Sequence, residues 1–280
     1  MHESSATANL RPIRLLPESV EPADRQLAAS LALLAGIEQT ARPSMRWYQI
    51  SPPALLLGSS QRPQVADLEA CAAAGLPLHR RRSGGGVVLC DETLLLFDLA
   101  LPPDDPLYRH DVTESYRWLS EVWAAALHQL GLDVRVVPIA EARADSQALD
   151  PLLKEVCYGG LSPYEVAAGQ RKLVGLAQIR RYNGALLQAG VYLRWSPERT
   201  AALMAATSAE RTRLANQLAR RVAGLNDLDG QQRLPVELVK AAVDAMLRQL
   251  AGLAPAADEW RASERTALVE GRAPYPHIRR

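Results

Sequence analysis

Apolar residues recur along this chain with two periods, and the switches between them mark its elements. EPADRQLAASLALLAGIEQTA (21–41) places apolar side chains three and four apart among strong helix formers, which predicts a helix. SMRWYQI and PALLLGSSQ then read as two strands broken by Ser-Pro-Pro. QVADLEACAAAGLP (64–77) is a short helix stopping at Gly75. LHRRRSGGGVVLCDETLLLFDLALP (78–102) reads as strand, glycine turn, strand. Asp111 and Glu114 form a capping-box pattern before a long amphipathic helix that ends at Gly131, and DVRVVPI follows as a strand. AEARADSQALDPLLKE is polar and reads as a loop or a frayed helix. From 162 to 195 strands alternate with turns at AGQR and YNGA; Asn183-Gly184 is the sequence signal of a type I′ hairpin. From SPERT at 196 onward the period is helical, most clearly in LPVELVKAAVDAMLRQLAGL (234–253).

Hairpin-linked strands, with helices at either end and one in the middle, predict an α+β fold: a mixed, largely antiparallel sheet packed by helices. Residues 1–10 read as a disordered start, 11–200 as the main domain, and 201–280 as a helical extension packed on it, with APYPHIRR (273–280) as a flexible end. The 280 residues, 48% of them apolar, support a sizeable core. With 32 basic and 31 acidic side chains the net charge is +1, which argues for neither nucleic acid nor a membrane surface. The polar N-terminus has no signal pattern, and no apolar run approaches the roughly 20 residues that span a bilayer. Cys71, Cys90 and Cys157 are odd in number and lack metal-ligand spacing. The reading is a reduced cytoplasmic protein with free thiols and no metal site. Cys71, in an alanine-rich helix, and the five tryptophans read as packing, and lone His79 and His110 as structural.

Candidate chemistry gathers in two places. RRRSGGGVVL (80–89) sets three glycines before a strand, which costs backbone entropy unless something needs positive φ or close approach. Arg80 and Arg81 beside them could make a cradle for an anion or an acyl chain; a tight hairpin with basic flanks would use the same residues. The phosphate-binding pattern G-x-x-x-x-G-K-[ST] is absent. The second place is VCYGGLSPYEVAAGQRKLVGLAQIRR. Cys157 lies on a glycine-rich loop, and Lys172 stands 15 residues on, within reach through a hairpin. A thiol beside a cation ionises more readily and is the better nucleophile. Strand alternation puts Lys172, Val174, Leu176 and Gln178 on one face, and Leu173, Gly175, Ala177 and Ile179 on the other. An incidental cysteine and a surface lysine fit the local residues equally well.

Four stretches together resemble the lipoate-protein ligase / octanoyltransferase family of the biotin/lipoate ligase superfamily. RWYQISPPALLLGSSQ looks like that family's RxYxWxPPxxSxGxxQ, RRRSGGGVV like its Arg-Arg-x-Ser/Thr-Gly-Gly motif, and GQRKLVGLAQIRR like its GxKxxGxAQxR, with Lys172 as the acyl-site lysine. CYGGLSPYEV resembles the cysteine loop of the octanoyl-[acyl carrier protein]:protein N-octanoyltransferases, matching at Cys157, Ser162, Tyr164 and Glu165. The similarity runs over roughly 11–195. The chain departs from the family where His-Asp becomes Cys90-Asp91 and Gln-His-Gly becomes Gln-Ala-Gly at Ala189, and Gly86 looks more like the ligases.

The resemblance implies the ligase catalytic-domain fold, with the acyl chain in a groove roofed by the glycine turn. It implies Cys157 and Lys172 as catalytic residues. It implies Arg80, Arg81, Ser83, Gly84, Gly85, Gly86, Gly175, Ala177 and Gln178 as acyl- or substrate-binding. The first reading it supports is transfer of octanoyl from acyl carrier protein, through a Cys157 thioester whose carbonyl Lys172 polarises. The acceptor would be a lysine of a lipoyl-domain protein, glycine-cleavage H protein or 2-oxoacid dehydrogenase E2, with no cofactor. The second is an ATP- and Mg²⁺-dependent lipoate ligase in which Lys172 and Arg81 neutralise carboxylate and phosphate. The third is a non-catalytic lipoyl-domain binder or ligase subunit. Octanoyl against lipoyl preference and oligomeric state stay open in the sequence.

Overall fold

The computed structural model describes residues 10–228 and 233–270. The expected disordered start, apart from Leu10, and the expected flexible end at 273–280 lie outside the described residues. The strands are β1 (Arg11–Leu15), β2 (Ser19–Glu21), β3 (Ser44–Ile50), β4 (Ala54–Leu57), β5 (Leu78–Arg80), β6 (Val88–Cys90), β7 (Leu94–Leu101), β8 (Arg135–Val136), β9 (Val166–Ala168), β10 (Arg171–Arg181), β11 (Gly184–Tyr192) and β12 (Leu253–Ala257). The helices are α1 (Ala23–Thr40), α2 (Leu68–Ala73), α3 (Arg117–Gln129), α4 (Ile139–Ala148), α5 (Pro151–Lys154), α6 (Pro197–Ala202), α7 (Ser208–Arg221), α8 (Val236–Ala251) and α9 (Ala262–Glu270).

The main sheet runs β12-β1-β3-β7-β11-β10-β9-β8, with β2 also on β3, and a small sheet runs β5-β4-β6. The pairings from β3 through β8 are antiparallel, while β1 runs parallel to both β3 and β12. This is the expected mixed α+β sheet.

Strand alternation sorts the side chains of the central strands between two faces. Leu95, Phe97, Leu99 and Leu101 of β7, with Leu187, Ala189 and Val191 of β11, pack in one core with Leu119, Val122 and Trp123 of α3 and Val239, Val243 and Leu247 of α8. Trp47, Phe97 and Trp123 meet at its centre, with ring centroids 4.7 to 6.3 Å apart. The intervening residues face the other way. Ala100 and Leu186 pack with Leu33, Leu34 and Ile37 of α1. Leu94 and Tyr192 pack with Leu55, Leu57 and Leu89 of the small sheet. Between those two clusters lies the buried pair Arg46–Asp98, at 2.8 Å.

One open expectation is settled and three change. Of the loop and the frayed helix, the structure forms helix, at 139–148 as α4 and at 151–154 as α5, which Pro151 starts behind the Asp150 side-chain cap on the Leu152 amide. Asp111 caps the Glu114 amide at 2.8 Å, but Glu114 does not complete a box: its carboxylate accepts from the Tyr164 hydroxyl. The β10–β11 register pairs Arg181 with Gly184, so Tyr182 and Asn183 form the turn, and neither has positive φ. The stretch after 196 is not helical throughout: LAPAA forms β12 and pairs with β1 at the sheet edge, where Pro255 can be accommodated.

Candidate active site

The glycine turn and the cysteine loop are stitched together by main chain. The Val87 amide donates to Glu155 O at 2.6 Å, and the Cys157 amide donates to Val87 O at 3.0 Å. A Cβ on Gly86 would lie 2.6 Å from the Cys157 nitrogen, so only glycine permits this approach. Gly85 has φ +94°, and a Cβ there would lie 3.4 Å from the Cys157 Sγ and 2.9 Å from Arg81 Nη2. Gly86 is therefore required by the seating of the cysteine loop, and Gly85 by its positive φ and the approach of Arg81. Gln61 adds a side-chain clamp, donating to Glu155 O at 2.9 Å and accepting from the Gly58 amide at 3.0 Å.

The two arginines hold the turn. Arg81 Nη2 donates to Gly84 O at 2.7 Å and Gly86 O at 2.8 Å, and Nη1 to Leu56 O at 3.3 Å. Arg80 Nη1 donates to the Gln61 and Gly58 carbonyls. Their hydrogen bonds go to main chain, where the sequence had suggested an anion cradle.

Lys172 is 1% exposed, so the surface-lysine reading fails. Its Nζ donates to Cys157 O at 2.8 Å and Gly160 O at 3.4 Å, pairs with Glu165 Oε1 at 2.6 Å, and lies 4.9 Å from the centre of the Tyr158 ring. Three acceptors meet three ammonium hydrogens. Glu165 is held in turn, with Oε2 accepting from the Ser162 amide at 2.7 Å. The preceding Tyr164 has φ +65°, a strained conformation for an aromatic residue. Burial pushes the Glu165 carboxyl up, and Lys172 opposes the shift. The motif had been matched at Glu165 in the sequence, but its pairing with Lys172 had not been read from it.

The expected faces of β10 are corrected by a bulge. Lys172 pairs with Ala167 and Val174 with Val166, so two steps on β10 match one on β9 and the alternation shifts at Leu173. Lys172 thereby joins Gly175 and Ala177. Gly175 lies opposite Gly190, and Cβ atoms on the two would come within about 3 Å of Tyr158, whose hydroxyl donates to Gly190 O at 2.6 Å. Gln178 faces the turn that leads into α3, accepting from Ser115 at 3.1 Å and donating to Val112 O at 2.7 Å. Of the two departures from the family motifs, Cys90 lines the inner cavity, and burial pushes its thiol up to about 12. Ala189 lines the same cavity and packs in the α3 core opposite Phe97.

Cys157 stands between two cavities. The inner one, about 80 Å³, is mostly apolar, walled by Leu27, Ile50, Leu56, Val88, Leu94 and Leu96, and reaches Gln26 and Gln188. The outer one, about 300 Å³, is bounded by Gly84, Gly85, Thr113, Tyr116, Ser162 and Gln178. Cys157, Leu176 and Ala177 line both. A half-buried thiol that lines both a mostly apolar cavity and a second cavity beside it suits an acyl group arriving and leaving.

The comparisons with known proteins agree with this geometry. The model of the lipoyl protein ligase A/B catalytic domain matches residues 22–248. The chain belongs to that family. It is similar to octanoyltransferase LipM of Exiguobacterium sibiricum, 31% identical over 90% of this chain and 93% of that one. It is also similar to octanoyltransferase LipM of Moorella thermoacetica, 33% identical over 78% and 79%. Among solved structures, the bi-partite lipoate protein ligase of the Thermoplasma acidophilum lipoylation system superposes with TM-score 0.77 at 20% identity, over 94% of this chain and 92% of that one. Lipoate-protein ligase A bound with ATP gives 0.74 at 22% identity, over 94% and 95%. At those identities the structures establish the shared fold, which is the one the sequence motifs implied. Among the described residues no helix is long and apolar enough to cross a membrane.

Proposed function

We propose that this acyltransferase moves an octanoyl group from a carrier-protein thioester to Cys157, and from Cys157 to the ε-amine of a lysine on a lipoyl-domain protein. The observation that carries the reading is that Cys157 lines both the apolar cavity and the second cavity beside it. The octanoyl chain occupies the inner cavity. In the first half-reaction the Cys157 thiolate attacks the thioester carbonyl, a new C–S bond forms, and the carrier sulfur leaves as thiolate and takes up a proton. In the second, the acceptor amine attacks the acyl-cysteine carbonyl, the C–N bond forms, and the Cys157 sulfur leaves. The proton lost by the amine balances the one the thiolate regains. Dividing the transfer in this way lowers each barrier. Lys172 keeps a positive charge beside the loop and ties the Cys157 carbonyl down.

The relatives named octanoyltransferase support this reading over the ligase one. Arg81 further weakens the ligase role given to it, because both Nη2 hydrogen bonds hold the glycine turn. A lipoyl-domain acceptor is supported by the E2 lipoyl domain named with the Thermoplasma ligase. The transferase needs no nucleotide; ATP and Mg²⁺ belong to the ligase alternative. The test is mass analysis of a lipoyl domain incubated with enzyme and octanoyl-acyl carrier protein without nucleotide. An octanoylated domain is expected. A domain modified only when free lipoate or octanoate is supplied with ATP and Mg²⁺ would sink the transferase reading and leave a ligase.

A further inference from the structure

Acyl transfer needs a hydrogen-bond donor where negative charge grows on the carbonyl oxygen. The sequence suggested Lys172, but its three hydrogens already face Cys157 O, Gly160 O and Glu165 Oε1. Taking one of them away would leave a buried carbonyl or carboxylate unpaired. Ser83 is the contrasting case. It is 1% exposed and lines the inner cavity together with Cys157, and its Oγ has no hydrogen-bond partner. Among the buried side-chain oxygens and nitrogens without a partner in the described residues, Ser83 Oγ alone belongs to a residue lining this cavity. An unpaired buried hydroxyl costs stability, so a folded protein that keeps one points to a partner that comes and goes. The segment that carries it is firmly placed: Ser83 O accepts from the Ser59 amide at 3.0 Å, and Arg81 pins the carbonyls of Gly84 and Gly86 on either side of Gly85.

We infer that the Ser83 hydroxyl donates to the carbonyl oxygen of the acyl group on Cys157, a role that rests on the thioester reading above. When the thiolate attacks, the C=O π pair moves onto oxygen as the C–S bond forms. Ser83 stabilises that oxyanion, which collapses as the carrier sulfur departs. The hydroxyl keeps its proton throughout and serves the second half-reaction in the same way.

The test compares wild type, Ser83→Ala and Ser83→Thr. For each, the rate of S-octanoylation from octanoyl-acyl carrier protein, the rate of Cys157 alkylation by iodoacetamide, and Tm are measured. For S83A the expected result is a roughly hundredfold fall in kcat for acylation with little change in KM. Alkylation, which develops no oxyanion, should proceed at the wild-type rate, and Tm should hold or rise because an unpaired hydroxyl has gone. S83T keeps the donor and should retain most of the rate. Acylation of S83A at the wild-type rate would overturn the proposal alone. So would equal losses in acylation and alkylation, which would mean that Ser83 merely holds the loop. A wild type that takes up no octanoyl group would remove the thioester reading and this role with it.

Discussion

Among the described residues three ion pairs are fully buried, Arg14–Glu264, Arg46–Asp98 and Lys172–Glu165, and the last two differ in what surrounds them. Arg46 and Asp98 line neither cavity themselves, although their partners Gln26 and Gln188 line the inner one: the guanidinium reaches Asp98, the Gln26 side chain and carbonyl, and the Ser30 hydroxyl. Asp98 accepts further from Ser30 at 2.7 Å and Gln188 at 2.8 Å. Lys172 and Glu165 are as deeply buried, but Glu165 lines the outer cavity and Lys172 is tied to the carbonyls of the cysteine loop. The lesson is that burial of a charge does not mark a working residue. What marks it is whether the pair's remaining contacts are core groups or groups of the reacting loop. Arg46 and Asp98 face each other in the regular register of β3 and β7. Of the two pairs, only Lys172–Glu165 is reinforced by a bulge in the lysine's own strand and by a strained residue beside its partner.

The comparison predicts different failures. Asp98→Ala leaves the Arg46 charge buried and unpaired, and should cost about 3–5 kcal/mol in chemical denaturation, with S-acylation per folded molecule little changed. Glu165→Gln should cost less stability, about 1–3 kcal/mol, because the amide still accepts a hydrogen bond. Its acylation rate per folded molecule should nevertheless fall about tenfold or more, since the ion pair that helps hold Lys172 against the cysteine-loop carbonyls is gone. If Asp98→Ala and Glu165→Gln lost activity per folded molecule equally, the distinction would be gone. The smallest effect is expected of Tyr158→Phe. It removes the hydrogen bond to Gly190 O while keeping the ring over Lys172, and should cost about 1 kcal/mol in thermal unfolding, with transfer largely retained.

The elements around the site were legible because their signals are local. The strand pair broken by Ser-Pro-Pro, the glycine turn and the hairpin at 171–192 each carry their pattern within a few residues, and the motifs place Cys157 and Lys172 on adjacent segments. What escaped the sequence depends on partners far along the chain. LAPAA lacks the β-branched residues of a typical strand and is ordered by β1, more than 240 residues away from it by the Arg11–Leu253 register. The faces of β10 were misread because strict alternation has no place for the extra residue at Leu173. The arginines next to the glycines looked free for an anion; which carbonyls they satisfy follows from how β4, β5 and the turn stack. Ser83 was legible as a motif residue, but its unpaired hydroxyl is a property of the packed cavity.

The central claim is that Cys157 carries the acyl group. Intact-protein mass after mixing the chain with octanoyl-acyl carrier protein, without nucleotide, tests it most directly, with Cys157→Ser run alongside. The account predicts one hydroxylamine-labile octanoyl adduct on the wild type and none on the variant. Octanoyl transfer to a lipoyl domain by Cys157→Ser at the wild-type rate, or a wild type that transfers without ever showing a labile adduct, would contradict it.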